Sequence, residues 1–193
     1  MTDFKEKKKM GTIDFFRTSI KNIKTVGTIT RSSKFLCKDM IKHVDFSKAR
    51  SIVELGAGDG VITKHILKAM HPDAKLLTFE ILPKLFKRLD AIGDDRMYAV
   101  QDSAEKIGEY LAKHDMGEAD FIISAIPFVA FPEELTYRIL NECKTHLKQD
   151  GKYIQVHYSL LTKKIYQEIF GNVNVSFTPL NVPPAFVLVS EKK

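Results

Sequence analysis

Three short stretches of the chain place glycines and acids at intervals that suit a nucleoside ligand. The first is Glu54-Leu55-Gly56-Ala57-Gly58-Asp59-Gly60. Gly56 and Gly58 carry no Cβ, so the backbone there can turn tightly and approach a ligand closely. The helix expected behind them would add free N–H groups at its N-terminus. The second is Glu80-Ile81, where a carboxylate at a strand end can accept both hydroxyls of a ribose. The third is Asp102-Ser103-Ala104, placed to hydrogen-bond an adenine amine and ring nitrogen. A dinucleotide fingerprint needs G-x-G-x-x-G, and its third glycine would fall on Val61. Glu54, two residues ahead of the first glycine, suits the amino acid end of a sulfonium ligand that has no pyrophosphate. The expected cofactor is therefore S-adenosylmethionine. Its candidate contacts are Glu54, Gly56, Ala57, Gly58, Gly60, Glu80, Ile81, Asp102, Ser103, Ala104 and Ser124.

A fourth stretch, Ser124-Ala125-Ile126-Pro127-Phe128, stands where amine-methylating enzymes build their acceptor pocket. Adenine readers place Asn or Asp at the position of Ala125, to accept from the exocyclic amine, and stack an aromatic ring on the flipped base. Alanine accepts nothing through its side chain, so this strand end suits an amine without reading a planar base. Ile126, Pro127 and Phe128 are candidate acceptor contacts. His157 and Tyr158 are candidates for headgroup contact or proton acceptance, since an ammonium must lose a proton before it can attack. Their plainer alternatives are a satisfied core histidine and a capping tyrosine. Ser124 is a candidate for orienting the amine. No spacing of Cys, His, Asp or Glu suggests a metal site, and none is expected.

These residues need a frame that holds strand ends side by side. Apolar runs near 51–55, 75–80, 97–101, 119–124 and 152–158 read as strands. Helical patterns at 61–70, 82–90, 104–114, 132–147 and 160–170 alternate with them. Two extended runs, 172–178 and 186–189, end the chain without a helix between them. Strand–helix alternation implies right-handed parallel crossovers and a sheet covered on both faces. The expected fold is α/β, a doubly wound and mostly parallel seven-stranded sheet of the Rossmann-like methyltransferase type, with an antiparallel pairing at or near one edge. Ligands in such sheets lie beyond the carboxyl ends of the strands, where strand order reverses.

The 193 residues are expected to hold a basic helical extension over 1–45 and a catalytic domain over 46–193. Residues 1–50 carry thirteen Lys/Arg against five Asp/Glu, a net +8, so the remainder of a chain of net charge +6 carries −2. Within 12–24, Ile13, Phe16, Ile20 and Ile23 recur at helical spacing with Arg17, Lys21 and Lys24 between them. Such a helix can lie in the headgroup plane of an anionic membrane, or pack its apolar face on the domain. A second helix should begin at Ser32-Ser33 and bury Leu36, Met40 and Val44. Cys37 and Cys143 sit in no metal or redox motif and read as buried apolar residues in a reducing compartment. No apolar run approaches the roughly 20 residues of a membrane span. The expected location is cytoplasmic, peripherally membrane-associated.

Separated segments resemble the bacterial phospholipid N-methyltransferases, a family related to rRNA adenine dimethylases. They are Gly27 to Ser33, Val53 to Gly60, Ser124 to Phe128, Gln155-Val156-His157-Tyr158 and Asn181-Val182-Pro183-Pro184-Ala185. The resemblance implies stepwise methylation of phosphatidylethanolamine to phosphatidylcholine, with an anionic membrane surface as partner. Phe35-Leu36 and the helix that follows also look like the dimethylase branch. That branch usually adds a C-terminal helical domain for RNA, for which residues are lacking here. Adenine methylation of RNA, methylation of another amino lipid such as an ornithine lipid, and cofactor binding without catalysis remain the alternatives.

Overall fold

The structure is a computed structural model, and it describes residues 32–193. The amphipathic stretch 12–24 and most of the basic extension lie outside the described residues. Ser33 starts the first described helix, α1 (Lys34–Ile41), its side chain accepting from the Leu36 N–H at 3.2 Å. A cap of this kind stabilises a helix by about 1 kcal/mol. α1 buries Leu36 and Met40 as its spacing predicts, and Cys37 besides, while Val44 is buried beyond the helix end. The chain then alternates through β1 (Ser51–Leu55), α2 (Val61–Ala69), β2 (Lys75–Phe79), α3 (Pro83–Asp90), β3 (Met97–Val100), α4 (Ile107–Lys113) and β4 (Ala119–Ser124). It continues with α5 (Glu133–His146), β5 (Leu147–His157), α6 (Lys163–Phe170), β6 (Asn174–Thr178) and β7 (Ala185–Glu191).

The seven strands form one sheet in the order β3-β2-β1-β4-β5-β7-β6. The pairings among β1 to β5 are parallel, and β7 runs antiparallel between β5 and β6. The expected doubly wound, mostly parallel sheet is present, with its reversed strand one place in from the edge. Successive residues of a strand face opposite layers, and the sheet uses this fully. Val53, Leu55, Leu77, Phe79 and Ile122 pack in one layer with Ile107 and Leu111 of α4, Ile139 and Cys143 of α5, and Tyr166 and Phe170 of α6. Ile52, Leu76, Ile123 and Ile154 pack in the other with Leu36 and Met40 of α1 and Ile62 and Ile66 of α2. β1 is buried along its whole length. Cys37 and Cys143 are buried and unpaired.

Several boundaries differ from the sequence expectation for local reasons. The helix expected from 104 opens as a 3-10 turn, Ala104–Lys106, capped by the Ser103 hydroxyl. β5 starts at Leu147, not near 152, because Leu147 already pairs with Ala119 before the register shifts and Lys152 pairs with Phe121. The intervening Asp150 takes a left-handed φ of 61°, and its N–H donates to Lys192 O at 2.8 Å. The helix expected from 160 begins at Lys163, because residues 160–163 close a turn through Lys163 N–H and Leu160 O.

Candidate functional site

Strand order reverses between β1 and β4, so their diverging carboxyl ends leave a crevice. A cleft of about 670 Å³, counting its open mouth, fills this position. Ligand pockets commonly have such a largely apolar lining with a few convergent polar groups. Its walls include Gly56 and Gly58 after β1, Glu80 and Ile81 after β2, Asp102, Ser103 and Ala104 after β3, and Ile126 and Pro127 after β4. Nine residues read from the sequence as cofactor or acceptor contacts thus converge on one cavity.

Gly58 sits at φ +62°, and a Cβ there would meet nothing within 4 Å. The glycine therefore leaves open space for a ligand, and any side chain would be strained and would fill that space. Gly60 serves packing instead. It caps α2 in the left-handed region, and a Cβ would lie 2.5 Å from Ile92 Cδ1. The loop's amides are already engaged. Those of Gly56 and Ala57 both donate to Phe79 O, at 2.9 and 3.0 Å. The Gly58 amide donates to Glu80 Oε2 at 2.8 Å. What the glycine loop offers a ligand is close backbone approach through Gly56 and Gly58, whereas Ala57 and Gly60, also expected as contacts, do not line the cleft.

Glu80 ties the first two strand ends together. Its Oε1 accepts the Leu82 N–H at 2.7 Å while Oε2 holds Gly58. An ionised carboxylate has about four lone-pair sites, so it can hold both amides and still accept from ribose hydroxyls. Asp102 is braced similarly, by Ser103 N–H at 2.7 Å, Lys106 Nζ at 2.9 Å and Tyr110 Oη at 3.1 Å. Burial raises its pKa, but the bonds from Lys106, Ser103 and Tyr110 outweigh that and hold the carboxyl below its ordinary value. Open space at Gly58, an acid braced at each of two strand ends and an apolar wall fit an adenosyl group.

Glu54 lies behind the loop and does not line the cleft. It is 1 % exposed, its Oε2 accepts from Thr63 Oγ1 at 2.6 Å, and its Oε1 has no partner among the described residues. Burial, aided by the charge of Glu80 and opposed by the Thr63 bond, pushes its pKa up to about 8. Raised above its ordinary 4.5, this carboxyl contributes stability that is complete below about 4.5 and is lost as pH rises through about 8. Burial lowers the His157 pKa from 6.5 to about 4, so its opposing contribution ends by pH 6.5. We therefore expect the melting temperature of ligand-free protein to fall between pH ~6.5 and ~8.5, and Glu54→Gln to flatten that fall. Parallel pH profiles for parent and variant would assign the slope to another group.

Four further expectations are corrected by position. Phe128 is 1 % exposed and packs edge-on against Phe131, so it belongs to the core. The 3-10 turn Phe128–Ala130 swings the chain so that Phe131 is the ring on the cleft wall. Ser124 is fully buried, with Oγ accepting the Ile126 N–H at 3.3 Å. His157 is also buried, with Nε2 2.8 Å from Tyr166 Oη and 3.2 Å from Thr162 Oγ1. Tyr158, 37 % exposed, stands at the end of β5 and does not line the cleft. The sequence reading missed Phe79, Leu82, Leu85 and Phe131 as lining residues. Leu82 and Leu85, three apart across the start of α3 and next to Glu80, were the legible signal.

Gln155, part of a segment noted for its resemblance, is fully buried where β5 passes β4. Its Nε2 donates to Ile126 O at 3.0 Å and Val156 O at 2.8 Å, while Oε1 accepts from Tyr153 Oη at 2.8 Å. It clamps the turn that carries Ile126 and Pro127 into the cleft.

A seven-stranded sheet with one reversed strand, and a glycine-and-acid cleft at its switch point, define the class: an S-adenosylmethionine-dependent methyltransferase. Within that class the chain belongs to the methyltransferase small domain family, whose model matches residues 19–178. An ornithine lipid N-methyltransferase of Singulisphaera acidiphila is 29% identical over 163 residues, spanning 83% of this chain and 85% of that protein. Among solved structures the fold resembles a precorrin-6y C5,15-methyltransferase from Geobacter metallireducens. The TM-score is 0.65 at 12% identity, over 81% of this chain and 88% of the other. It also resembles a magnesium protoporphyrin IX methyltransferase from Synechocystis with bound S-adenosylmethionine. Here the TM-score is 0.62 at 12% identity, over 95% and 86% of the two chains.

Proposed function

We propose that this methyltransferase acts on the primary amine of a membrane lipid headgroup. Phosphatidylethanolamine is the first acceptor to test, on the strength of the five resembling segments. Ornithine lipid is the second, favoured by the relative from Singulisphaera. The observation that carries the reading is the cleft wall after β4. Ala125, Ile126 and Pro127 line it, with no side chain at 125 to accept from an adenine amine. An amine on a flexible headgroup needs no planar reader, whereas a base does. Methylation of adenine in nucleic acid is therefore the less favoured reading.

S-adenosylmethionine supplies an electrophilic methyl carbon on a sulfonium. In this reading Glu80 and Asp102 hold the adenosyl group's polar edges while Gly58 leaves room for it. Glu54 lies one layer behind the loop, where it accepts from Thr63 of α2. The chief contribution to rate is alignment of donor and acceptor at near-attack distance. Held there, the cofactor would supply its methyl group to the amine's lone pair and leave as the neutral thioether, and the proton shed by the amine would pass to water at the open mouth. Of the three catalytic candidates, Tyr158 has the exposure to touch a headgroup. Ser124 and His157 act on position, through the Ile126 turn and through Tyr166. Residues 12–24 are assigned to an anionic bilayer surface.

The test supplies methyl-labelled S-adenosylmethionine with vesicles containing phosphatidylethanolamine or ornithine lipid, and in a parallel arm with RNA. Label in a lipid product is expected and label in RNA is not. Folded, cofactor-binding protein that yields no lipid product rules the reading out.

A further inference from the structure

The outer face of α1 and two loops at the carboxyl end of the sheet share a property unrelated to the cleft. α1 buries Leu36, Cys37 and Met40 and turns Lys34, Lys38 and Lys42 outward. Spaced four apart, these lysines lie along one helix face. Beside them Phe35 is 44% exposed. Across a shallow groove shared with Phe35, Lys38 and Lys42 stands Leu180, while Phe177, alternating with the Ser176 and Thr178 that bond Asp39, turns its ring to the other face against Phe186. Leu161, Val182 and Leu180 are exposed by 80, 78 and 62 %.

Topology gathers these residues at one corner. Thr178 ends β6 opposite Ala185, which begins β7, and His157 at the end of β5 pairs with Phe186. The 179–184 loop and the 158–162 turn therefore leave the sheet from the end that holds the cleft. Asn181 joins the loop to α1, its Oδ1 accepting the Ser33 N–H at 2.9 Å. Among the described residues the only acid lining the groove is Asp39, which is already bonded to Lys42, Thr178 and Ser176.

We infer that Phe35, Leu161, Leu180 and Val182, rimmed by Lys34, Lys38 and Lys42, form a surface that inserts into an anionic lipid bilayer. Exposed apolar groups gathered at one corner in this way mark interaction surfaces rather than ordinary exterior. An apolar patch with a cationic rim is complementary to a bilayer, whose acyl boundary takes the former and whose anionic headgroups take the latter. Nucleic acid matches the lysines but not Leu161, Leu180 and Val182, which offer a base no ring to stack on. Residues 25–31 separate this corner from the amphipathic stretch 12–24, a reach of at most about 25 Å, so both can meet one bilayer. The surface deepens the amino-lipid reading and rests on it for what it delivers, since it sits at the cleft's end of the sheet.

The chain has no tryptophan, so Leu161→Trp and Leu180→Trp each give a single fluorescent reporter in the full chain. With phosphatidylglycerol vesicles both should shift to the blue and be quenched by lipids brominated on their acyl chains, and neither should change with phosphatidylcholine alone. The double variant Leu161→Asp/Leu180→Asp should lose about tenfold or more in vesicle partition, with cofactor affinity and melting temperature retained. Lys34→Glu/Lys38→Glu should weaken the preference for anionic vesicles, and what is left of it belongs to the basic stretch before residue 32. Tryptophan emission unmoved on anionic vesicles overturns the inference, as does undiminished partition of the aspartate variant. A shift evoked by RNA in place of vesicles overturns it too. Cofactor and turnover play no part in these readings. Docking without a methylated lipid would therefore sink the acceptor assignment alone, and a methylated lipid without reporter shifts would sink the surface alone.

Discussion

Glu80→Gln should leave a folded chain whose affinity for S-adenosylmethionine is weaker by about 100-fold. The two Glu80 oxygens each hold a backbone amide, Leu82 at 2.7 Å and Gly58 at 2.8 Å, in a residue only 6 % exposed. Glutamine has the same shape but replaces one oxygen with a donor, so one of those amides must face another N–H. An unsatisfied buried group costs about 1–3 kcal/mol. A hydrogen bond from a ligand hydroxyl to a charged acceptor, lost with the carboxylate, is worth about 1.5–3 kcal/mol. About 3 kcal/mol of this total falls on the bound state, because the glycine loop and the ribose acceptor are both parts of the cleft. Titration calorimetry on parent and variant reads the effect, with circular dichroism as the check on folding. An affinity within about threefold of the parent would place the ribose elsewhere. A lowered melting temperature with unchanged affinity would make Glu80 a loop brace and nothing more.

The sheet was legible because its physics is local. Alternating strands such as 119–124 and acids set at strand ends write the parallel order and the switch point directly into residue spacing. Glu80, Asp102 and Gly58 could be placed at the cleft for the same reason, since a residue just after a parallel strand has few places to go. What failed to read through was rotation and depth. Nothing in Pro127-Phe128 announces the 3-10 turn that sends Phe128 inward and leaves Phe131 on the wall. His157 ends its strand as a proton acceptor would, yet its partner Tyr166 lies on α6, nine residues on and across a turn. Glu54 precedes the glycines as a ligand acid would, but β1 is buried from end to end and Thr63 takes the carboxyl from behind. Each miss depends on a contact between elements, which spacing within one element does not carry.

Gln155→Leu is expected to lower the melting temperature by about 5–10 °C and to cut turnover by about tenfold. Leucine fills nearly the same volume, so the loss is one of hydrogen bonds. Ile126 O and Val156 O lose a donor. Ile126 O keeps the Phe128 N–H at 2.9 Å, and the Tyr153 hydroxyl retains Ser124 as a neighbour. The net cost is then about 2–3 kcal/mol, below the sum of three orphaned groups. Turnover suffers separately, because the released turn carries Ile126, whose Cγ1 lies 3.2 Å from where a Gly56 Cβ would be. A Gln155→Glu variant separates bonding from shape. Ionised, it would set a negative oxygen against the Ile126 carbonyl; protonated, it can donate to that carbonyl as glutamine does. Its carboxyl pKa should therefore lie above the usual carboxylate value in the folded state. Stability should be greatest at acid pH and fall as pH rises through that raised value. Melts of the Glu variant across pH ~5 to ~8, measured against Gln155→Leu, give the answer. A Glu variant no steeper than the leucine one would mean that the amide of Gln155 does not hold the turn.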